Sequence, residues 1–117
     1  MDCNHWHDPR NEKAIALQER VEAAGSPYNY NTPLNYSCVG LLADAIERAG
    51  KADRGAVIEA LAGSTYADHL MPYGQTRFEN GQNMGAAPVS TQVQSGDIKV
   101  IFPEEFANAK PNFPSNG

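Results

Sequence analysis

The sequence has little of what marks several large classes of protein. Its two cysteines, Cys3 and Cys38, are too few and too far apart for a disulfide framework. The nine lysines and arginines are scattered among fourteen acidic residues, so no basic patch favours nucleic acid or an anionic membrane. No apolar run approaches the roughly 20 residues of a membrane span, and the N-terminus lacks the layout of a signal peptide. These absences predict a mildly acidic soluble domain that stays in the cytoplasm.

Three helices are expected in the first half of the 117-residue chain, each preceded by a polar cap and followed by a glycine. A capping side chain accepts a free N–H of the first turn, and a proline next to it already has the helical φ. Asp8 and Pro9 therefore predict a helix from Pro9 to about Ala24, ended by Gly25. The other two helices are bounded by Thr32-Pro33 and Gly50, and by Asp53 and Gly63.

The second helix is apolar over most of its circumference and needs cover from two sides. Its two apolar stripes are Leu34, Cys38, Leu41 and Ala45, and Val39, Leu42, Ile46 and Ala49. Its polar strip is Ser37, Asp44, Glu47, Arg48 and Lys51. We expect the three helices to share one cluster, to which the third adds Val57, Ile58 and Leu61. Cys38 is expected there as a free, buried thiol, with a Cys3 to Cys38 bridge as the alternative.

Alternating residues and frequent turn signals predict extended structure after Gly63. "QTRFE" is a candidate short strand before a turn at Asn80-Gly81. "PVSTQVQ" and "IKVIF" flank Ser95-Gly96 as a β-hairpin. Strand alternation places Val89, Thr91 and Val93 on one face of the first strand, and Gln92 and Gln94 on the other face. In the partner strand the apolar residues Ile98, Val100 and Phe102 alternate in the same way. The tail from Pro103 holds one helical turn in "EEFANA" and then an unstructured end, "KPNFPSNG".

The segment itself is therefore predicted as α+β, with three helices followed by short strands and a hairpin. It divides into a loop (1–8), helices (9–63), strands and hairpin (75–102) and a tail (103–117). A single hairpin leaves the sheet short of strands, because two strands alone are only marginally stable. The pattern indicates part of a larger body.

The order of these motifs resembles the C-terminal stretch of periplasmic substrate-binding proteins of ABC transporters. "RVEAAG", "NYNTPLNYSCVGLLADAIERAG", "YGQTRFENGQN" and "VQSGDIKVIFP" carry the likeness, which is to the branched-chain amino acid, Leu/Ile/Val-binding type. It covers essentially the whole chain. Each motif is weak alone, but their order and spacing over about a hundred residues are specific.

The resemblance implies a type I periplasmic binding protein, a two-lobed α/β clamp whose chain crosses between the lobes three times and holds its ligand in the cleft. It implies an amino acid or amide as ligand, a membrane permease as partner, a periplasmic location that no visible signal supports, no cofactor and no enzymatic activity. This chain would begin after the second crossing and would be an incomplete fragment. We therefore expect no measurable amino-acid affinity for the isolated chain.

The opening "CNHWHD" raises the question of a metal site, since Cys3, His5, His7 and Asp8 all carry groups that can ligate zinc or copper. The alternating spacing is not one that converges ligands on zinc. In relatives of this type the stretch is a loop before a capped helix, so we expect solvated side chains and no metal. Trp6 is expected either to cover the apolar end of the lobe or to line the cleft mouth.

Tyr30 and Asn31, in the loop entering the second helix, are the predicted ligand contacts, because a ring and an amide suit a ligand's apolar and polar parts. Surface packing of Tyr28 and Tyr30 is the alternative. His69 is expected as a solvated loop residue, since no catalytic partner is placed beside it. Gly74, Gly85 and Asn80-Gly81 are attributed to backbone freedom rather than phosphate binding. No residue is predicted to be catalytic.

Three functions follow in order of support. The first is the ABC-transporter binding protein. The second is a truncated module that self-associates through the uncovered faces of its second helix, with no ligand. The third is a metal-binding protein or enzyme that uses Cys3, His5 and His7.

Overall fold

The chain, described here from a computed structural model, is a small α+β protein with three helices and two small antiparallel sheets. The structure describes the backbone of residues 2–113 and the side chains of 5–113. In chain order the elements are β1 (Asp2–Asn4), α1 (Glu12–Ala23), α2 (Asn31–Ala49), α3 (Arg54–Ala62), β2 (Phe78–Glu79), β3 (Gln82–Asn83), β4 (Val89–Gln94), β5 (Asp97–Phe102) and a 3-10 turn (Glu104–Phe106). The predicted α+β segment is confirmed. Among the described helices, none is both long and apolar enough to cross a membrane.

The chain forms two compact units. Within the described residues, the first comprises 2–34, 70–72 and 88–113, and the second comprises 35–69 and 73–87. Helix α2 begins in the first unit and continues into the second, so the chain passes between the units within a helix and again at three later points.

Helix α1 begins three residues later than predicted. Asp8 and Pro9 form a turn instead, in which Asp8 Oδ1 accepts the backbone N–H of Arg10 at 3.0 Å. Asn11 is the actual N-cap, and its Oδ1 accepts the N–H of Lys13 at 2.9 Å. The predicted cap fails because an Asp side chain that closes a local turn is no longer placed to cap a helix.

The predicted helix ends are confirmed. Gly25 has φ +78°, and the N–H groups of Gly25 and Ser26 donate to the carbonyls of Glu22 and Val21, the two bonds of a Schellman cap. Gly50 ends α2 with φ +73°.

Helix α2 starts at Asn31, one residue before Thr32, with the Asn31 N–H donating to Asn29 Oδ1 at 3.0 Å.

Helix α3 is bounded as predicted. Asp53 Oδ2 accepts the N–H of Ala56 at 3.1 Å, and Gly63 follows the last helical residue. The side-chain cap satisfies one of the donors that a helix start leaves open.

The apolar cluster predicted for the three helices is wrong. Helix α3 has no buried residue, and Ile58 is 58% exposed. On α2 Val39 is 69% exposed and the free Cys38 thiol is exposed, so the predictions of a buried cysteine and of a Cys3 to Cys38 bridge are also wrong.

The covered face of α2 is narrower than its apolar pattern suggests. Pro33, Ser37 and Ala45 are buried on one stripe at four-residue spacing, and Leu41 on the same stripe is half-buried. Ser37 was expected on the polar strip. Small side chains pack closely here, so burial follows size along this stripe rather than polarity.

The sheet of the first unit has the strand order β1-β4-β5. Asp2, Cys3 and Asn4 pair antiparallel with Thr91, Ser90 and Val89, so the expected loop over 1–8 begins with a strand. The predicted hairpin is confirmed, with Ser95 at φ 54° and Gly96 at φ 85° in its turn. These angles fit the tight turn whose twist matches that of paired strands.

A β-bulge changes the predicted alternation of the hairpin. The register shifts between Ser90 and Thr91, which pair with Phe102 and Val100 and leave Ile101 as the extra residue. Val100 and Ile101 are therefore both buried. On the predicted apolar faces Val93, Ile98 and Phe102 are instead 49%, 42% and 65% exposed.

The chain after β5 returns along the hairpin, so the tail is not unstructured over its described part. The predicted helical turn is confirmed as Glu104–Phe106, and Asn108 Oδ1 then accepts the Val100 N–H at 2.9 Å. Gln92, predicted on the face opposite Val89, Thr91 and Val93, is 3% exposed. Its amide donates to the Asn112 carbonyl at 3.0 Å and accepts the Asn112 N–H at 2.9 Å. Residues 114–117 lie outside the described part.

The second unit ends in the predicted turn, with Asn80 at φ 50° and Gly81 at φ 80° between β2 and β3. The strand expected over "QTRFE" has only two residues, Phe78 and Glu79. Asn83 stabilises the hairpin base, since its Oδ1 accepts the N–H groups of Arg77 and Gly85, each at 3.1 Å.

Val100 provides a test of the core of the first unit, since it is fully buried while Val93, on the neighbouring strand, is 49% exposed. Val100→Ala should lower the free energy of unfolding by about 2 kcal/mol, from two lost buried methyl groups and the cavity they leave. Val93→Ala should cost less than about 1 kcal/mol. Urea unfolding followed by tryptophan fluorescence measures both, and equal costs would contradict this core.

Candidate functional site

The N-terminal segment places Trp6 in the core of the first unit. Pairing of β1 with β4 directs the chain over the sheet, where Trp6 is 8% exposed and packs with Val89 and Val100. Tyr28, in the loop between α1 and α2, packs against the same cluster. Trp6 therefore covers the apolar core of the first unit, and its place relative to the apolar end of a lobe or the mouth of a cleft stays a prediction.

His7 is buried, which corrects its expected exposure in a solvated loop. It is 5% exposed, and its Nδ1 lies 2.8 Å from the Tyr28 hydroxyl. A hydroxyl both donates and accepts, so either histidine tautomer satisfies this bond. The Asp8 N–H donates to the Leu70 carbonyl at 2.8 Å and holds the chain just after His7.

Trp6, His7 and Tyr28 form an aromatic group. The ring centroids of Trp6 and Tyr28 are 5.6 Å apart with planes at 88°, and that of His7 is 5.1 Å from Trp6 and 5.5 Å from Tyr28. Edge-to-face pairs at this separation are favourable, because the positive edge of one ring meets the negative face of the other.

Burial shifts the titration of both partners in the His7–Tyr28 bond. Desolvation lowers the pKa of His7, and the charge of Asp8 opposes that shift in part. Desolvation raises the pKa of Tyr28, and the Glu22 carboxylate raises it further. At neutral pH the pair is therefore uncharged, as its burial requires.

A cavity of about 470 Å³ opens beside this aromatic group. Its walls come from the segment around Trp6 and His7, one face of α1, Tyr28 in the following loop, the start of β5, and Asn108. The residues that matter most for its chemistry are Trp6, His7, Glu22, Tyr28, Asp97 and Lys99. A volume in this range suits a small organic molecule.

The predicted contacts Tyr30 and Asn31 do not line this cavity. Tyr30 is 42% exposed, and Asn31 is an exposed residue at the start of α2. Their role as ligand contacts stays a prediction. Tyr28, two residues earlier, lines the cavity instead. The one sequence signal that could have indicated this cavity is the lone tryptophan in a polar terminal segment. Such a ring is most stable when it is buried against apolar neighbours, so its burial could have been expected.

His69, in the second unit, is buried rather than solvated. It is 5% exposed, its Nε2 lies 2.7 Å from the Gly74 carbonyl, and its ring stacks 4.3 Å from that of Tyr73. The imidazole N–H donates to the carbonyl and fixes the 69–74 loop, which is a structural role.

A second cavity of about 520 Å³ lies within the second unit, between α2 and the segment 65–68. Arg48, at its edge, is held by Asp44 Oδ2 at 2.9 Å and donates to the Ala60 carbonyl at 2.9 Å. The Tyr66 hydroxyl, which donates to the Asp68 carbonyl at 2.7 Å, approaches α2 at Gly40, where a β-carbon would collide with it. Tyr66 is the one aromatic residue in the lining of this cavity, whereas Trp6, His7 and Tyr28 line the first.

Among the side chains of residues 5–113, no three His, Cys, Asp or Glu groups are placed to hold a metal ion, and nothing there points to an enzyme. The side chain of Cys3 lies outside the described part. Comparisons of the chain with family models, with curated proteins and with solved structures find no match.

The buried His7 generates a pH prediction. Because its pKa is lowered on folding, the unfolded chain binds more protons below its ordinary pKa of about 6.5. The contribution of His7 to stability is therefore fully present above that pH and is lost as pH falls from there through the lowered pKa of the folded state. In an NMR titration the His7 ring protons should have a midpoint below that of the urea-unfolded chain. A midpoint at or above the unfolded value would contradict this burial.

Proposed function

We propose that the chain is the C-terminal segment of a substrate-binding protein of an ABC transporter, of the type I, branched-chain amino acid kind. The observation that carries the proposal is the division of the chain into two compact units between which it passes repeatedly. A segment of a two-lobed clamp, whose chain crosses between its lobes, would show such a division. The helices and the final hairpin also fall within the segments whose sequence carries the resemblance, which supports the proposal.

The distribution of apolar side chains gives further support. Tyr36, Val39 and Leu42 on α2 and Ile58 on α3 are between 46% and 69% exposed. Helices that carry several large exposed apolar side chains usually have a covering surface. In a complete binding protein, the rest of the lobe would supply that surface.

In the proposed mechanism the two lobes of the complete protein close on an amino acid or small amide, and the closed form docks on a membrane permease. The site of action is the periplasm. This segment supplies only part of one cleft wall, through Tyr30 and Asn31, so the isolated chain has no measurable affinity for branched-chain amino acids.

The mass of the native product in its source cells tests the proposal. Antibody capture followed by intact mass spectrometry should give a species several times larger than the 12.7 kDa of this chain. A product near 12.7 kDa would mean that the cell makes the fragment itself, and it would overturn the proposal. An antibody raised against the 89–102 hairpin reports either species, because both contain it.

Self-association is the second candidate function, and the same exposed residues on α2 and α3 favour it. In this alternative a second copy of the chain covers Val39 and Leu42, and no ligand is bound. Both side chains lie on one face of α2, because three-residue spacing keeps positions on the same side of a helix.

Sedimentation velocity distinguishes the two candidates. Under self-association the chain sediments as a dimer or larger species, and the double change Val39→Glu and Leu42→Glu gives a monomer, because charges at a buried interface are strongly unfavourable. The control Val93→Glu, at a half-exposed position in the first unit, should leave the assembly intact. A monomeric wild-type chain would exclude this alternative.

A further inference from the structure

The cavity beside Trp6 has no part in the function proposed above, yet its walls have a distinct chemistry. It is bounded by an aromatic group on one side and by charged side chains of α1 and β5 on the other. We infer that this cavity is a binding site for a small organic ammonium cation.

The charges of the lining favour a cation. Glu22 and Asp97 carry negative charge, and Lys99 is the one lysine or arginine among the lining residues. Lys99 Nζ lies 3.7 Å from Asp97 Oδ2, so these two groups largely offset each other. His7 adds no positive charge at neutral pH, because its burial lowers its pKa. The lining therefore has a net negative charge, contributed by Glu22.

Glu22 is held on the side of α1 that faces the aromatic group. One of its carboxylate oxygens, Oε1, accepts the Gln18 amide at 3.1 Å, and Gln18 lines the cavity as well. Glu22 and Tyr28 both line this cavity, and the Glu22 charge contributes to the raised pKa of Tyr28. A carboxylate and aromatic rings thus border the same space.

The aromatic wall favours an organic cation over a simple metal ion. Trp6 and Tyr28 meet nearly at right angles, with ring centroids 5.6 Å apart. Cations are attracted to the electron-rich faces of tryptophan and tyrosine, and this attraction is the usual basis for recognition of quaternary ammonium groups. Ile15 and Ile98 add apolar surface for the carbon body of such a ligand.

The sole tryptophan lines the cavity, so its fluorescence reports binding directly. Titration of the full 117-residue chain with choline chloride should change Trp6 emission saturably, with a midpoint in the millimolar range. The neutral isostere 3,3-dimethylbutan-1-ol has the same shape without the charge and should give no saturable change. Sodium chloride at matched concentrations controls for ionic strength.

Two matched variants on α1 locate the site. Glu22→Gln removes the charge that faces the cavity and should weaken choline binding by about threefold to fivefold, as expected for an exposed charge contact. Glu19→Gln removes another exposed charge of α1 that does not line the cavity and should leave binding unchanged. Circular dichroism confirms that each variant is folded.

Three outcomes would overturn the inference. No saturable change with choline would exclude the site, and an equal response to the neutral isostere would show an apolar pocket without cation selectivity. Equal affinities of the Glu22→Gln and Glu19→Gln variants would place binding outside this cavity. None of these outcomes bears on the native mass of the product, so the inference and the proposed function fail independently.

Discussion

The first unit depends on the packing of Trp6 against Val89 and Val100. Burial of a tryptophan ring contributes on the order of 5 kcal/mol of transfer free energy, which is comparable with the net stability of a small domain. This contact joins the first residues of the chain to the last hairpin. Pairing of β1 with β4 sets its register, because Asn4 lies opposite Val89. Removal of either the strand pairing or the ring would leave the sheet as a two-stranded hairpin, which is marginally stable alone.

The position of Trp6 also decides the chemistry around it. The next residue, His7, has to be buried with the ring, and burial of an imidazole is favourable only when it is neutral and hydrogen-bonded. Tyr28 supplies that bond at 2.8 Å and at the same time forms the wall of the cavity. The uncharged pair leaves Glu22 as the unbalanced charge of the lining. The packing of Trp6 in the core therefore determines which charges remain in the lining of the adjacent cavity.

The second unit is built differently. Of its described residues, the buried ones are Ser37, Ala45, Ser64, His69 and Thr76, so Ala45 is its one buried apolar side chain. Hydrogen bonds organise its loops: the hydroxyls of Ser64 and Thr76 lie 2.8 Å apart, and the Thr76 N–H donates to the Tyr66 carbonyl at 2.9 Å. Buried polar groups fix geometry but contribute modest net stability. Exposed apolar residues on α2 and α3 accompany this arrangement, which is why a larger body or a second copy is proposed to cover them.

The sequence by itself determined the local structure. Glycines at positive φ end α1 and α2 and form the two hairpin turns, and Asp53 caps α3, because each depends on a few neighbouring residues. Only the tertiary structure decided burial. The bulge opposite Ser90 and Thr91 left the adjacent residues Val100 and Ile101 both buried, and the returning tail covered Gln92. Tyr28 meets the adjacent Trp6 and His7 although about 20 residues separate it from them, so no local pattern could predict their cavity. Local rules fix backbone angles, whereas a site requires contacts between distant segments.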